Sequence, residues 1–274
     1  MGRYTGIIIV SDLDGTFWSK VPESYKKNIC AIEKFKAEGG IFTFATGRDF
    51  YSLKSVISNA DNIVNAPVIT SNGAGLYDTK SGKYIINAHL NISQFREFIK
   101  SVIEKYPEIG VRFSENGMFM TPEINDMIKF DLSRDNFLDR AKEMPLDEIS
   151  GVSKCVIIHT DSEILDDVQK MGRDSGKDKN FYFAKSYDIG LEVVNRESTK
   201  GKTAQELKKY LNMPCGVLYA VGDYYNDADL ISSADVGACP QNAVDEIKAI
   251  SKIITKSCDE GAIADLIDII DANL

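Results

Sequence analysis

Asp12 and Asp14 stand two residues apart, with only Ser11 between them and the apolar run 7–10. If that strand continued regularly, both carboxylates would face one side of it, and Gly15 permits a sharp departure of the chain. Such a pair can act as a nucleophile beside a proton donor, or as two ligands of one metal ion. Asp223 and Asp227 follow a second apolar run, 217–221, and Thr46-Gly47-Arg48 follows a third, 41–45. Lys200 precedes Gly201, and Asn72 lies in Ser71-Asn72-Gly73 at the end of the run 67–71. Carboxylates at the carboxyl ends of several buried strands stand where open α/β sheets build their sites.

Gathering those acids in one place has a price in charge. A carboxylate 4 Å from another negative charge is destabilised by about 4 kcal/mol at an effective dielectric of 20, and a phosphate dianion roughly doubles that. An attacking Asp12 therefore needs cations beside it. Lys200 is one, and oxygen ligands together with phosphate chemistry favour Mg²⁺ as the other. The Thr46 hydroxyl and the backbone N–H groups near Gly47 supply directed hydrogen bonds at the opening of a helix.

The elements that must position these groups alternate. Strand patterns at 6–12, 41–46 and 67–71 enclose helix patterns from Pro22 to about residue 36, with proline at the opening, and from 49 to about 58. A hairpin is expected at 74–78 and 83–87, turned by Lys80-Ser81-Gly82. After residue 195 the alternation resumes, with helices at 199–211, 227–233, 243–249 and 261–271 and strands at 216–221, 235–238 and 252–255. The middle of the chain reads differently. Helices at 93–105, 134–142 and 162–174 mix with strands at 109–114, 117–121, 153–159, 180–184 and 189–194, and none of the acidic signatures falls there. The expected fold is α/β, a Rossmann-like doubly wound parallel sheet core formed by 1–87 and 191–274, with an inserted α/β cap domain at 88–190.

Composition bounds the rest. The chain has 274 residues, 43% apolar and 27% charged, as ordinary globular proteins do. Its net charge of −9 speaks against a nucleic-acid partner. Five cysteines without a C-x-x-C pair make a disulfide framework or structural zinc unexpected. No apolar run reads as a signal peptide or membrane span, so no membrane partner is expected and a cytoplasmic location is. A P-loop at Gly201-Lys202-Thr203 is discarded because Arg196 stands where its first glycine belongs. His89 and His159 read as structural. Arg112, Tyr182 and Tyr187 are the insertion's candidates for substrate contact, and Trp18 stands near the presumed mouth.

Asp12-Leu13-Asp14-Gly15-Thr16, Ala45-Thr46-Gly47-Arg48, Ser71-Asn72-Gly73-Ala74, Lys200-Gly201-Lys202 and Gly222-Asp223 with Asn226-Asp227 fall in one order. With them the chain resembles the haloacid dehalogenase superfamily of phosphatases, in its Cof-like, type IIB group with a large cap. Asn242-Ala243 and Asp259-Glu260-Gly261 match its later signposts. The resemblance implies hydrolysis of a small phosphorylated metabolite, such as a sugar phosphate, in two steps. Asp12 forms an aspartyl-phosphate, and Asp14 protonates the leaving alcohol and then activates water. Thr46, Gly47, Lys200 and Asn226 hold the phosphoryl group. Mg²⁺ takes Asp12, the Asp14 backbone carbonyl and Asp223, with Asp227 behind or acting through water, and Asn72 is a possible substrate contact. A phosphomutase and a non-catalytic phosphometabolite sensor are the alternatives, and the assembly is expected to be a monomer or small homo-oligomer. The chain departs from the family pattern at Trp18, at Tyr224 and at Cys239-Pro240-Gln241.

Overall fold

The computed structural model describes residues 2–274. The chain opens with β1 (Ile7–Ser11), buried along its whole length, and α1 (Pro22–Ala37), which starts on its proline. β2 (Ile41–Phe44), α2 (Phe50–Val56) and a single turn, α3 (Ala60–Ile63), lead to β3 (Val68–Thr70) and the hairpin β4 (Gly75–Asp78) and β5 (Lys83–Asn87). The middle of the chain supplies α4 (Ile92–Lys105), β6 (Gly110–Glu115), β7 (Met118–Thr121), α5 (Asp126–Ser133), β8 (Ala141–Glu143), β9 (Lys154–Ile158), α6 (Ser162–Asp174), β10 (Phe181–Tyr187) and β11 (Gly190–Asn195). Then come α7 (Lys200–Tyr210), β12 (Val217–Val221), α8 (Ala228–Ser233), β13 (Val236–Pro240), α9 (Asp245–Ile250), β14 (Ile253–Thr255) and α10 (Ala262–Ala272).

One parallel sheet runs in the order β14-β13-β12-β1-β2. β3 continues it beyond β2 through a parallel bridge between Ala45 and Ile69. Successive residues of β1 serve opposite layers. Ile7 and Ile9 join Phe42 and Phe44 against α1 and α10, while Ile8 and Val10 join Leu218 and Ala220 against α7. This two-sided burial is why the strands read as continuous apolar runs. From β1 the chain winds outward to β2 on one side and later to β12, β13 and β14 on the other. The sheet's switch point therefore lies between the carboxyl ends of β1 and β12.

The second sheet, β10-β11-β9-β6-β7-β8, is the cap. One face carries Val111, Phe113, Cys155, Ile157, Leu191 and Val193 against α4 and α6. The opposite face packs partly on α5 through Val156 and Ile158. Elsewhere that face presents Arg112, Ser114, Lys154 and Glu192, all buried. Because β11 pairs with both β9 and β10, a core segment beginning at residue 191 would start inside this sheet.

The helix expected at 134–142 is not there. Helix α5 lies earlier, at Asp126–Ser133, because the Asn125 side chain accepts the Ile128 N–H at 3.1 Å and caps it. Ile128 and Leu132 supply its buried stripe. Asn136 turns left-handed at φ 57°, and residues 141–143 then pair with β7 as a strand. A run rich in Asp, Arg, Lys and Glu resembles a helix in composition, but pairing with an open sheet edge decided otherwise.

Candidate active site

Asp12 sits one residue past β1, its N–H donated to the Val221 carbonyl at 2.8 Å, which ties it to the end of β12. Its carboxylate is buried and accepts from Lys200 Nζ at 2.6 Å. Lys200 opens α7, whose first turn is capped by Thr199, and its side chain is wholly enclosed. The same ammonium donates to Asp227 Oδ1 at 2.6 Å. The other Asp227 oxygen accepts the N–H groups of Asp223 and Tyr224 at 3.1 and 3.3 Å and so shapes the turn after β12. Asp223 in turn accepts the Thr16 hydroxyl at 2.7 Å. Gly15 stands at φ +81°, and a Cβ there would lie 2.5 Å from Asp223 Oδ2, so only glycine lets the two loops close on each other.

Oxygen atoms of Asp12, Asp223 and Asp227 come within 4.8 Å of one another. Three carboxylates face one ammonium, an excess of two negative charges. Burial pushes the Asp223 carboxyl up to about 7, helped by the charge on Asp227. Asp12 is pushed up as well, by burial and then by Asp227, with Lys200 opposing. Lys200 stays cationic: burial works against its charge, but Asp12 and Asp227 outweigh it. An all-oxygen site short of two positive charges fits a hard divalent cation.

Asp14 points elsewhere. Its carboxylate is half exposed and held by Arg48, with Nε at 2.8 Å and Nη2 at 3.1 Å. Arg48 also reaches Asp135 of the cap through Nη1 at 2.9 Å. Burial works against the charge on Arg48, and the two carboxylates restore it. The side chain of Asp14 is thus outside the three-carboxylate group. Thr46 is buried after β2, and its hydroxyl accepts the Arg48 N–H at 3.1 Å. Gly47 accepts Lys154 Nζ of the cap at 2.6 Å. Asn226 donates to Asn72 Oδ1 at 3.1 Å, and Asn72 donates onward to Glu192. Asn242, one of the later signposts, donates to the Gly15 carbonyl at 2.8 Å and accepts the Cys258 N–H at 2.8 Å, bracing the first loop.

A cavity of ≈ 540 Å³ lies between core and cap, with Asp12, Asp14, Gly47, Asp223 and Asn226 on its core wall. Of the remaining expected residues, Thr46, Lys200, Asp227 and Asn72 are buried and do not line it. Arg112 and Tyr187 are on the cap wall; Tyr182 is not. Trp18 lies at the core rim. The polar links Lys154–Glu192 at 2.7 Å and Arg112–Asp131 at 2.7 Å were not foreseen as part of the site. Their signal was present all the same: Arg112 and Glu192 each interrupt an apolar strand with a charge and Lys154 opens one, and such charges are rarely buried without a partner.

A family profile described as haloacid dehalogenase-like hydrolase matches residues 9–267. The chain belongs to the haloacid dehalogenase-like hydrolases. Phosphatase YwpJ of Bacillus subtilis (strain 168) is 23% identical, covering 94% of this chain and 97% of that protein. An HMP-PP phosphatase of Yersinia pestis (strain Pestoides F) is 25% identical, covering 86% and 84%. Among solved structures, the subclass IIB sugar phosphatase BT4131 superposes with a TM-score of 0.79 at 20% identity, over 97% of this chain and 99% of that one. For a haloacid dehalogenase-like hydrolase, a parallel core with a separate α/β cap sheet is the architecture shared with that neighbour.

Proposed function

We propose that this hydrolase is a Mg²⁺-dependent phosphatase of small phosphorylated metabolites, sugar phosphates among them, working through an aspartyl-phosphate on Asp12. One observation carries the reading: Asp12 is buried against Lys200 at the sheet's switch point, with the oxygens of Asp223 and Asp227 within 4.8 Å. In the first step an Asp12 oxygen forms a bond to phosphorus, the ester P–O bond breaks, and Asp14, which must leave Arg48 and take up a proton beforehand, gives that proton to the leaving alkoxide. In the second, Asp14 takes a proton from water as the water oxygen bonds phosphorus, and inorganic phosphate leaves Asp12. Lys200, Thr46, Asn226 and the backbone around Gly47 bind and orient the phosphoryl oxygens. Asp12 and Asp223 would hold Mg²⁺ with the main-chain carbonyl of Asp14, and Asp227 would act beside them or through water. The ion supplies neutralisation of the charge that the carboxylates and the phosphate share. A division into a core of 1–87 and 191–274 and a cap of 88–190 belongs to this reading, with the boundary better drawn after Asn195 because β11 is a cap strand. A cytoplasmic location is also part of it. The five cysteines are free and two are exposed, as a reducing compartment allows. No helix among the described residues is long and apolar enough to cross a membrane.

The experiment is phosphate release from a panel of phosphorylated metabolites with Mg²⁺ and with EDTA, using the natural sequence and Asp12→Asn. Turnover that needs Mg²⁺ and vanishes in Asp12→Asn is expected. Tight ligand binding without turnover would replace the reading with a sensor, and positional isomers without free phosphate would replace it with a phosphomutase.

A further inference from the structure

Three consecutive residues after β3 adopt left-handed backbone: Ser71 at φ 49°, Asn72 at φ 54° and Gly73 at φ 99°. Glycine does so without strain, and asparagine tolerates it better than most residues. Such conformations persist where the surroundings over-determine them, and they cluster at functional sites. Here the surroundings are the loops of the site. The Asn72 N–H donates to the Thr46 carbonyl at 3.0 Å, and the Ser71 N–H donates to the Arg48 carbonyl at 2.9 Å. A Cβ on Gly73 would lie 2.2 Å from the Thr199 carbonyl carbon, and the Gly73 carbonyl accepts the Thr203 hydroxyl at 2.6 Å. The turn is therefore seated against the start of α7, where Lys200 stands.

This strained turn delivers one carboxamide, that of Asn72, to a point between core and cap. Asn72, Asn226, Glu192 and Lys154 are all buried. The Glu192 carboxylate of β11 can only accept, so it fixes which end of the Asn72 amide faces it. Asn72 Nδ2 donates to Glu192 Oε2, which leaves Asn72 Oδ1 to accept Asn226 Nδ2 at 3.1 Å. Lys154 Nζ of β9 donates to the other Glu192 oxygen at 2.7 Å and to the Gly47 carbonyl at 2.6 Å. Gly47 marks the same packing independently: a Cβ there would meet Glu192 Oε2 at 3.1 Å and Asn72 Oδ1 at 3.3 Å. A relay thus runs from two cap strands through one core amide to Asn226 on the cavity's core wall.

Resting on the phosphatase reading, in which Asn226 binds the phosphoryl group, we infer that Glu192 is a positioning residue of the cap that orients Asn226 through Asn72. With one amide proton given to Asn72, Asn226 Nδ2 keeps its second for a phosphoryl oxygen. The cap thereby sets part of the phosphate-binding geometry of the core. What Glu192 imposes is the order of donors along the relay. A neutral amide in its place would turn its oxygen to the Lys154 ammonium and its NH₂ to Asn72, reversing the Asn72 amide and, behind it, the Asn226 amide.

The test is a double-mutant cycle on the full chain with Mg²⁺, comparing the natural sequence, Glu192→Gln, Asn226→Ala and the two together. The readouts are kcat/KM for p-nitrophenyl phosphate and calorimetric binding of inorganic phosphate. Glu192→Gln should lower both about tenfold, the scale of one misdirected hydrogen bond to a charged group. In the Asn226→Ala background the same substitution should cause no further loss, because the residue it acts through is gone. A glutamate with only a structural role would lower both backgrounds equally. Should Glu192→Gln fail to fold, Asn72→Gly cuts the relay at its middle link, leaves the Lys154–Glu192 pair in place and suits the left-handed backbone. It should show the same tenfold loss and the same dependence on Asn226. Additive effects, or no loss on cutting the relay, overturn the inference, while turnover by the natural sequence leaves the phosphatase reading standing. A natural sequence that neither hydrolyses the ester nor binds phosphate overturns both.

Discussion

Replacing Lys200 with methionine removes the ammonium that Asp12 and Asp227 share while keeping most of its volume. The two contacts are each 2.6 Å, and the lysine side chain has no exposed surface. At an effective dielectric of 20, each contact is worth about 6 kcal/mol of gross attraction. Most of that offsets the desolvation of the lysine itself, and breaking a buried pair by deleting one partner leaves a net loss of about 3–5 kcal/mol. The assay is urea unfolding in EDTA at pH 8 and at pH 5, followed by a probe of the core. At pH 8 the variant should be less stable by that amount. In the variant, Asp12 and Asp223, whose folded pKa values already stand above the unfolded ones, lose the neighbouring cation that opposes this rise. The stability tied to them is present in acid and lost as pH rises. The gap between variant and natural sequence should therefore shrink at pH 5. A loss under about 1 kcal/mol at pH 8, or a gap equal at both pH values, would show that Lys200 does not hold the carboxylates together.

Other outcomes follow from the same geometry. Because the Asp223 carboxyl is held near 7 against 3.8 in the unfolded chain, the metal-free protein should lose stability on the order of a few kcal/mol between pH 5.5 and 8.5, and millimolar Mg²⁺ should restore it at pH 8.5; a thermal melt series in EDTA and in Mg²⁺ reads both effects. Gly15→Ala would push a methyl to 2.5 Å from Asp223 Oδ2, so Mg²⁺ affinity by calorimetry should fall at least tenfold, and an unaltered affinity would refute the close approach. Tyr224 OH donates to Asp188 of the cap at 2.9 Å, with Tyr224 half-buried and Asp188 exposed, so Tyr224→Phe should raise KM a few-fold with little effect on the melting temperature; an unchanged KM would argue against a role for that contact in holding the cap.

Much of the core was readable in the linear chain, and for identifiable reasons. Residues 7–10, 42–44 and 220–221 are buried on both faces, so their apolar runs leave no ambiguity about period, and the polar groups that follow them land at the carboxyl ends of the strands. Pro22 and Asp49 announce helix starts by local backbone chemistry alone. The cap was less legible. Residues 134–142 carry helix-forming composition, yet Asn125, nine residues earlier, is what starts the helix, and the strand at 141–143 exists only because β7 offers an edge to pair with.

The sequence by itself determined which groups could do chemistry, since Asp12, Asp14, Lys200, Asp223 and Asp227 follow strands or open helices whose positions local pattern dictates. Only the tertiary structure decided how they are shared out. Lys200 is enclosed between Asp12 and Asp227, and Asp14 is handed to Arg48. Lys154 and Glu192, more than a hundred residues from Gly47 and Asn72, meet them across the cavity. Those pairings are contacts between loops distant in the chain, and neither hydrophobic period nor capping chemistry encodes which distant loop arrives. That depends on the winding of the sheet and on a one-residue slip in β10, which turns Tyr187 from the helix layer to the cavity.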